Sequence, residues 1–435
     1  MGYRISRRCF QGAGMALLAS MASGRQPLAQ DGARKQLRFM WWGGQDRLRR
    51  TLAAFAAFER RYPGVRATGE ASANGGPFWA KLATQVAGGN APDVYQMDYR
   101  VEAEYGIRGA ALPLDPFMPD LLDMRDFPAY ARDAGKVDGK TYAVSLGTNS
   151  TAIFYGRDIV AAAGIVMPDH NWTWDDFARI AVEIAKANQG KLVGTTDFAY
   201  NEYAYQTWIR QRGKELYTAE GRLGYAAEDM AEWLDFWTKL RLAGGTLAPA
   251  IQALDKDSID SNGMITGKTA MTFAYSNQFV AYQRLKKGRL AITTDPQGVV
   301  GAPPGRYLKA ALLACVYAKS KYHEDAVRLI DFMIRDPEAV KILGVDRGVP
   351  NSAAALAIVL PTLGEADRMA VDYVRLVAEK TSSPVPPPPP KGASEIWLMR
   401  RRTVEAVAFG MESIGEASRA YVREATRILD EARAG

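Results

Sequence analysis

Short apolar runs alternate with segments of helical periodicity from residue 37 onward. Residues 37–42, 65–70 and 93–97 are apolar runs that predict strands, whereas residues 48–61 and 78–87 carry apolar side chains at helical spacing and predict helices. This β-α-β-α-β order is typical of a parallel or mixed sheet with helices on both faces. The chain is therefore predicted to have an α/β fold.

The same patterns continue toward the C-terminus. Thr173 followed by Asp176 has the spacing of a capping box and predicts a helix to about residue 187. Pro384 and the prolines at 386–390 predict a stiff, extended loop, and a motif for a proline-binding partner is the alternative. Further strands are predicted at 142–144, 152–155, 269–273 and 308–318, and further helices at 230–242, 323–335, 394–409 and 416–432.

The first 29 residues form a segment of their own. Arg7 and Arg8 precede a short, weakly apolar stretch, and no acidic residue occurs before Asp31. This composition is typical of a secretory leader, and the sequence Ser-Arg-Arg-x-Phe resembles the twin-arginine export signal. A leader in which the two arginines supply only positive charge is the alternative. We expect residues 1–29 to be a cleaved signal peptide of the twin-arginine type and the mature protein to be periplasmic.

Length and charge narrow the classes of function. About 400 residues remain after the leader, which suggests two domains or one large one. The formal net charge of +7 falls to +3 without the four arginines of the leader, and basic and acidic residues are interleaved along the chain. We therefore expect no nucleic-acid partner. No stretch after the leader is long and apolar enough to predict a membrane span.

Cysteine and histidine are too scarce for several kinds of catalytic or metal site. Cys315 is the single cysteine after the leader and lies in an apolar run, which predicts a buried core residue. His170 and His323 have no cysteine or histidine at metal-ligand spacing, and neither adjoins a Gly-x-Ser-x-Gly motif. We expect no metal site and no cofactor.

Several short motifs occur together in the order of a known family. They include FAAFERRYPGV at 55–65, AGGNAPDV at 87–94, VDGKTYAV at 137–144, WTWDDF at 172–177 and GKTAM at 267–271. With these motifs the chain resembles the extracellular solute-binding proteins of ABC importers (family 1), specifically the sugar-binding group that includes the maltodextrin-binding proteins. Ser145, Gly156 and the segment 274–277 depart from the family pattern, and the last departure bears on the sugar contacts.

The resemblance implies a two-lobed periplasmic-binding-protein fold of type II. Each lobe would be a mixed sheet flanked by helices, with the ligand cleft between the lobes and crossing strands as the hinge. We expect residues 35–141 and about 290–335 in the N-terminal lobe, and 142–289 and about 336–435 in the C-terminal lobe. The family captures a solute by lobe closure, without catalysis. The implied partners are a small-molecule carbohydrate and an ABC permease of the inner membrane, and the implied state is a monomer without a cofactor.

Polar and aromatic residues follow several of the predicted strands, where a cleft ligand would bind. A further aromatic and polar cluster, at residues 200–205, is expected between helices. A sugar presents apolar faces and a rim of hydroxyls, which aromatic rings and polar or charged side chains recognise. The family places ligand contacts in the matching loops. The predicted ligand-binding residues are Trp42, Gln45, Asp46, Asp98, Tyr99, Arg100, Asn149, Tyr203, Tyr275, Asn277, Arg347 and Trp397.

Several of these residues have a structural alternative. One of Trp41 and Trp42 must face the core, because neighbouring strand residues point to opposite sides, and we predict that Trp42 faces the ligand. Asp46 could cap the following helix, and Arg100 and Arg347 could form structural ion pairs. If the two arginines line the cleft, they favour an acidic sugar such as a uronide.

Three other functions stay open at this point, and one is a sensor accessory that hands its ligand to a receptor and not to a permease. An anionic solute such as glycerol phosphate is the alternative within the binding class. A secreted glycoside hydrolase is the alternative from another class, with carboxylates such as Asp98 and Glu202 as acid and base. Asp175 and Asp176 are a poor catalytic pair, because neighbours at the start of a helix point apart.

Overall fold

A computed structural model gives the fold of residues 34–72, 76–98, 109–255, 258–299 and 301–434. The predicted leader and the candidate residues Tyr99 and Arg100 lie outside these described residues.

The first sheet has five strands. They are β1 (Lys35–Trp42), β2 (Val65–Ser72), β3 (Val94–Met97), β6 (Ala143–Asn149) and β11 (Lys309–Val316), in the order β2-β1-β3-β11-β6. β1 runs parallel to β2 and β3, whereas β11 runs antiparallel to β3 and β6. Helical crossovers connect β1 to β2 and β2 to β3, as parallel strands require. This mixed sheet confirms the predicted β-α-β-α-β start.

The second sheet has four strands, in the order β10-β7-β9-β8. They are β7 (Thr151–Gly156), β8 (Val193–Thr195), β9 (Thr269–Tyr275) and β10 (Leu290–Thr293). β7 runs antiparallel to β9 and β10, and β8 runs parallel to β9. A short antiparallel pair, β4 (Lys136–Val137) and β5 (Lys140–Thr141), precedes β6.

Helices flank both sheets. Among the described residues, none of them is both long and apolar enough to cross a membrane. They are α1 (Gln45–Arg61), α2 (Gly76–Ala87), α3 (Ala129–Arg132), α4 (Arg157–Ala162), α5 (Trp174–Ala187), α6 (Glu202–Arg210), α7 (Ala227–Leu242), α8 (Pro249–Gln252), α9 (Phe279–Leu285), α10 (His323–Arg335), α11 (Pro337–Leu343), α12 (Ala353–Val359), α13 (Glu365–Lys380), α14 (Ala393–Ala408) and α15 (Ile414–Ala434).

Helix α5 begins with the predicted capping box. The Thr173 hydroxyl accepts a hydrogen bond from the backbone N–H of Asp176 at 3.2 Å, and the Asp176 carboxylate accepts one from the Thr173 N–H at 3.1 Å. Trp172 and Phe177 pack with ring centroids 5.9 Å apart, as a hydrophobic staple does. The local sequence therefore accounts for where this helix starts.

Helix α6 corrects one expectation. The sequence predicted an aromatic and polar cluster between helices at 200–205, but α6 begins at Glu202. The Asn201 side chain accepts hydrogen bonds from the N–H groups of Tyr203 and Ala204 at 2.9 and 3.1 Å. This N-cap satisfies donors that the first turn leaves free and so starts the helix there. Tyr205 is fully buried and belongs to the core.

The core beside the first sheet contains Trp41. Its ring is fully buried and lies 5.5 Å from Phe39 and 5.9 Å from Phe55, measured between centroids. On the neighbouring strand, Gly69 leaves room for this ring, because a Cβ atom there would lie 2.3 Å from it. Cys315 is also fully buried, as predicted.

The core beside the second sheet is rich in tryptophan. Trp174, Trp208, Trp233 and Trp237 form a chain of ring contacts with centroids 5.2 to 5.4 Å apart. All four side chains are buried. The tryptophan content therefore reflects packing in this core more than ligand recognition.

As far as the described residues show, the chain passes between the two sheets at three places. Ser150 alone separates β6 from β7, and residues 294–308 connect β10 to β11. The third passage, residues 344–352, leads from α11, which packs on α1, to α12, which packs beside the second sheet. The passages are bonded together: the Ser150 hydroxyl donates to the Tyr307 carbonyl at 2.8 Å, and Thr148 and Val349 exchange two backbone hydrogen bonds of 2.8 Å.

A buried ion pair holds the second passage. Arg306 Nε lies 2.7 Å from Asp295 Oδ1, and both side chains are 0 % exposed. Arg306 also donates to the hydroxyl of Thr381, and Thr151 donates to Asp295 at 3.3 Å. The pair thereby connects the passage to β7, through Thr151, and to the segment after α13, through Thr381.

The predicted bounds of the two lobes, 35–141 with about 290–335 and 142–289 with about 336–435, stay a prediction. The strand order does place β6 (Ala143–Asn149) in the five-stranded sheet and β10 (Leu290–Thr293) in the four-stranded one. The first two passages between the sheets therefore lie at Ser150 and within 294–308.

We expect Gly69→Ala to destabilise the protein by about 1–3 kcal/mol, because the new methyl group must displace the buried Trp41 ring. Urea unfolding of the purified protein measures this change. Gly64→Ala is the matched control: a Cβ there meets nothing within 4 Å, and we expect a change within about 0.5 kcal/mol. Equal effects of the two substitutions would contradict the packing argument.

We expect Arg306→Met to destabilise the protein by about 3–5 kcal/mol, because it leaves the Asp295 carboxylate buried without its cation. Arg179→Met is the control, since Arg179 pairs with Asp176 and Glu183 at an exposed site where such pairs contribute about 1 kcal/mol at most. Chemical unfolding of both variants checks the difference. Similar losses would show that the buried pair does not hold the passage.

Candidate functional site

A cavity of about 770 Å³ lies where strands of both sheets end. The C-terminal ends of β1, β3, β6 and β9 border it, and so does the start of β11, since β11 runs antiparallel to its neighbours. Clefts of this size at strand ends are typical ligand sites in α/β proteins. Eight of the predicted residues line it: Trp42, Gln45, Asp46, Asp98, Asn149, Tyr203, Tyr275 and Asn277.

Two tyrosines and a lysine form one wall of the cavity. Tyr203, from the first turn of α6, and Tyr275, from the end of β9, meet edge to face with centroids 5.0 Å apart. Lys309 places its ammonium 4.5 Å from the Tyr275 ring centroid and 5.2 Å from that of Tyr203. Positive charge over ring faces is favourable, so the three side chains position one another.

The strand shape next to Lys309 is irregular. The register between β11 and β6 shifts around Ala310 and Leu312, in the manner of a β-bulge. Bulges re-aim side chains and are common beside functional sites. Lys309 is paired with Asn149 across this ladder, so both residues are held at the same point of the cavity.

Two asparagines contribute amide groups where the sheets meet. Asn149 Nδ2 donates to Asn277 Oδ1 at 2.8 Å, which joins the end of β6 to the turn after β9. The Asn149 side chain is 3 % exposed, and its Oδ1 atom has no hydrogen-bond partner among the described residues. The segment 275–277, which departs from the family pattern, therefore lines the cavity.

Trp42 lies on the cavity side of β1, opposite Trp41. Its ring packs against Phe78 and Trp79 of α2, with centroids 4.8 and 5.4 Å apart, and only 6 % of the residue is exposed. Alternation along the strand sends the two tryptophans to opposite faces of the sheet, and Trp42 is the one that lines the cavity. The packing of Trp42 fixes the orientation of its ring before any ligand binds.

Gly43 allows a tight turn between β1 and α1. A Cβ atom on Gly43 would lie 2.5 Å from the Arg47 side chain. Arg47 can therefore fold back and donate to the Trp42 carbonyl at 3.0 Å, while its Nε lies 2.8 Å from Asp346 Oδ2. This arginine ties the turn after β1 to the third passage between the sheets.

Asp46 does not cap α1, which was its structural alternative: the N-cap is Gly44, without a side-chain hydrogen bond. Burial raises the pKa of Asp46, but the hydrogen bond from Arg50 and the charges of Arg50, Arg49 and Arg284 lower it more. The carboxylate therefore stays ionised and is occupied by arginines.

Two predicted residues lie outside the cavity. Arg347 is 4 % exposed, and its guanidinium donates to the Thr51 hydroxyl at 2.6 Å and lies 3.5 Å from Asp346. Burial and the charge of Arg47 lower the pKa of Arg347 to about 9, which leaves it charged at neutral pH. Trp397 lies on α14 with Arg401 over its ring at 5.5 Å. Tyr99 and Arg100 are outside the described residues.

The charged residues that sequence reasoning missed fall into two kinds. Lys309 opens a predicted strand, so the strand-end rule would have found it if the antiparallel direction of β11 had been known. Arg50, Arg284 and Asp367 also line the cavity, but they lie on the faces of helices and no local signal marks them. Within the described parts of the chain, no group of three His, Cys, Asp or Glu side chains could hold a metal ion.

Comparison with known proteins gives a consistent picture. A sequence model for bacterial extracellular solute-binding proteins matches residues 46–340, well over half of the chain. A protein of Brucella abortus (strain 2308) that is named as a binding protein is 25% identical over 291 residues, which cover 64% of this chain and 67% of its own. The arabinooligosaccharide-binding protein of Bacillus subtilis (strain 168) is 25% identical over 269 residues, which cover 60% of this chain and 61% of its own.

Solved structures show the same fold. The family 1 extracellular solute-binding protein of Alicyclobacillus acidocaldarius superposes with a TM-score of 0.73 at 28% identity, over 91% of this chain and 98% of its own. The chain therefore has the two-lobed α/β fold, with each of its two sheets flanked by helices, and the cavity is lined by residues beside both sheets.

Proposed function

Because the chain belongs to the bacterial extracellular solute-binding proteins, we propose that it is the substrate-binding component of an ABC importer and captures a sugar or oligosaccharide in this cavity. The observation that carries the proposal is the composition of the cavity. Aromatic residues Trp42, Tyr203 and Tyr275 line the same cavity as the amides of Asn149 and Asn277. Rings stack on the apolar faces of a sugar, and amides bond its hydroxyls.

Related proteins support a carbohydrate as the solute. The relative from Bacillus subtilis is an arabinooligosaccharide-binding protein. The cavity of about 770 Å³ is within the range of small-molecule sites and is large enough for more than a single small solute. We propose that the lobes close on the saccharide by bending at the three passages, and that the closed form delivers it to a permease of the inner membrane.

Export completes the proposed role. The leader-like composition of residues 1–29, with Arg7 and Arg8 ahead of a weakly apolar stretch, supports secretion by the twin-arginine route. We propose that the mature protein works in the periplasm as a monomer. The leader would thus bring the protein to the compartment where it meets its solute.

An anionic saccharide is the second candidate ligand, and Lys309 is the observation that favours it. The ammonium covers the face of Tyr275 at 4.5 Å, where it competes with a neutral sugar for stacking on that side. A carboxylate on the sugar would instead meet the positive charge. A uronide fits this wall better than a neutral sugar does. Of the two arginines that favoured an acidic sugar in the sequence, Arg347 lies outside the cavity and Arg100 lies outside the described residues.

A hydrolase is less well supported by the geometry. Of the candidate pair Asp98 and Glu202, only Asp98 lines the cavity. Asp175 and Asp176 lie at the start of α5 outside the cavity, and Asp176 is engaged in the capping box. Release of reducing sugar from a panel of glycans tests this alternative directly. Specific turnover of any glycan would overturn the proposal of a binding protein without catalysis.

A thermal-shift screen tests the proposed function. Neutral sugars, uronides and polyol phosphates are added at matched concentrations, and a ligand that binds only the folded protein raises Tm by mass action. We expect one or more carbohydrates to raise Tm. If only phosphates do so, or if no carbohydrate does, the assignment of a saccharide is wrong.

We expect Tyr203→Ala and Tyr275→Ala each to weaken binding of the best carbohydrate of that screen by roughly tenfold or more, because each removes a ring from the cavity wall. Isothermal titration calorimetry measures the affinities. Trp397→Ala is the matched control: its ring lies outside the cavity, and we expect its affinity to stay within about twofold. A loss confined to Trp397→Ala would place the site elsewhere.

We expect Lys309→Met to weaken binding of digalacturonate by roughly tenfold or more, since a hydrogen bond to a charged group is lost. Binding of a neutral disaccharide should change much less, and Lys309→Arg should retain the preference for the acid. Titrations of both sugars against the three proteins measure the selectivity. Equal losses for acidic and neutral sugars would assign Lys309 to support of the tyrosines instead.

A further inference from the structure

Four charged residues line the same part of the cavity, two from each lobe. Asp46 and Arg50 lie one turn apart on α1, beside the five-stranded sheet. Arg284 lies near the end of α9 and Asp367 in the first turn of α13, both beside the four-stranded sheet. We call these four residues the cross-cleft cluster.

One contact of the cross-cleft cluster spans the two lobes. Arg284 Nη2 lies 3.5 Å from Asp46 Oδ2, and the same carboxylate oxygen accepts from Arg50 Nε at 3.0 Å. Asp46 is thus bonded to an arginine of its own lobe and to one of the other lobe. The Arg284 side chain is 59 % exposed, and its contact with Asp46 reaches across to the other lobe.

Asp367 lies within the field of the other three charges. Burial raises the pKa of Asp367, the positive charges of Arg50 and Arg284 lower it, and the negative charge of Asp46 raises it. The carboxylate and the arginine of each lobe therefore lie close enough to influence the charged groups of the other lobe. Across the cleft, Asp46 attracts Arg284 and Arg50 attracts Asp367. The two carboxylates repel each other, as do the two arginines.

We propose that the cross-cleft cluster is an ionic latch. When no solute is bound, the latch favours the lobe separation of this structure. The proposal rests on the proposed function, because the latch would regulate access to the saccharide site. Asp46 then acts between the lobes and does not serve as an acceptor for sugar hydroxyls. The arginines that already occupy its carboxylate support this assignment.

The expected strength of the latch is modest. Exposed ion pairs change an equilibrium by a factor of roughly two to five, and salt screens them because the Debye length is about 10 Å at 0.1 M. A latch of this size shifts the resting balance between arrangements without locking the lobes. It also makes that balance depend on ionic strength.

Pulsed electron paramagnetic resonance tests the latch without any sugar. Spin labels are placed at Ala83→Cys on α2 and at Ala243→Cys after α7, both exposed, while Cys315 is buried. The label distance is measured in proteins that carry Arg284, Arg284→Gln or Arg284→Glu, at low and high salt. Arg289→Gln and Arg289→Glu are the matched controls, because exposed Arg289 pairs with Asp158 inside the second lobe at 3.4 Å.

The latch predicts a graded and salt-dependent result. At low salt the population at the shorter distance should fall by roughly two- to fivefold in Arg284→Gln and further in Arg284→Glu, which repels Asp46. Added salt should lengthen the distance in the parent protein and shorten it in Arg284→Glu. The Arg289 variants should match the parent. Identical distance distributions in all five proteins, or salt responses of the same sign in parent and Arg284→Glu, would overturn the latch.

Failure of the latch and failure of the proposed function give different results. The distance measurement uses the protein without sugar, whereas the thermal-shift screen uses the parent protein with sugars. If carbohydrates raise Tm but the Arg284 variants keep the parent distances, the latch is wrong and the sugar site stands. If the distances respond as expected but no carbohydrate raises Tm, the saccharide assignment fails and the latch remains as a contact between lobes.

Discussion

The buried pair of Asp295 and Arg306 is the constraint on which the rest of the structure depends. Neither charge has access to water, so each is stable only where the other is. The pair fixes the passage from the second sheet to the first and therefore fixes where β11 enters the five-stranded sheet. Lys309, the first residue of β11, then reaches the cavity because its strand begins there. A buried ionic contact away from the cavity thus decides which side chains the cavity contains.

The composition of the cavity follows from strand direction. β1, β3, β6 and β9 all end at it, and antiparallel β11 begins at it, so turns from both sheets converge on one space. Turns can carry polar and aromatic side chains without disturbing a core, whereas strand interiors cannot. Much of the packing lies in the cores beside the two sheets, and the tryptophan-rich core belongs to the second sheet. Because the site residues lie on turns and the packing lies in the cores, the site residues can vary while the cores hold both sheets in place.

Local patterns in the sequence account for most of the fold. The apolar runs, the capping box at Thr173 and the alternation of Trp41 and Trp42 each follow from a few neighbouring residues, and the structure agrees with each. Arg347 and Tyr205 show where such reasoning ends. Whether a side chain near a turn faces a cavity or the interior depends on which distant segment packs against it, as Thr51 packs against Arg347. The charges on α1, α9 and α13 are brought together only by the tertiary fold.

The three passages between the sheets also have a mechanical consequence. Ser150, residues 294–308 and residues 344–352 are bonded side by side, through Ser150 to Tyr307 and Thr148 to Val349. Three segments of the chain that are bonded side by side can bend together easily. Sliding or twisting of one lobe against the other would strain all three segments at once. In the proposed closure, the lobes would therefore move along a single bending coordinate. Trapping of the proposed saccharide would then depend on the bending stiffness of this line, and not on a search among many lobe orientations.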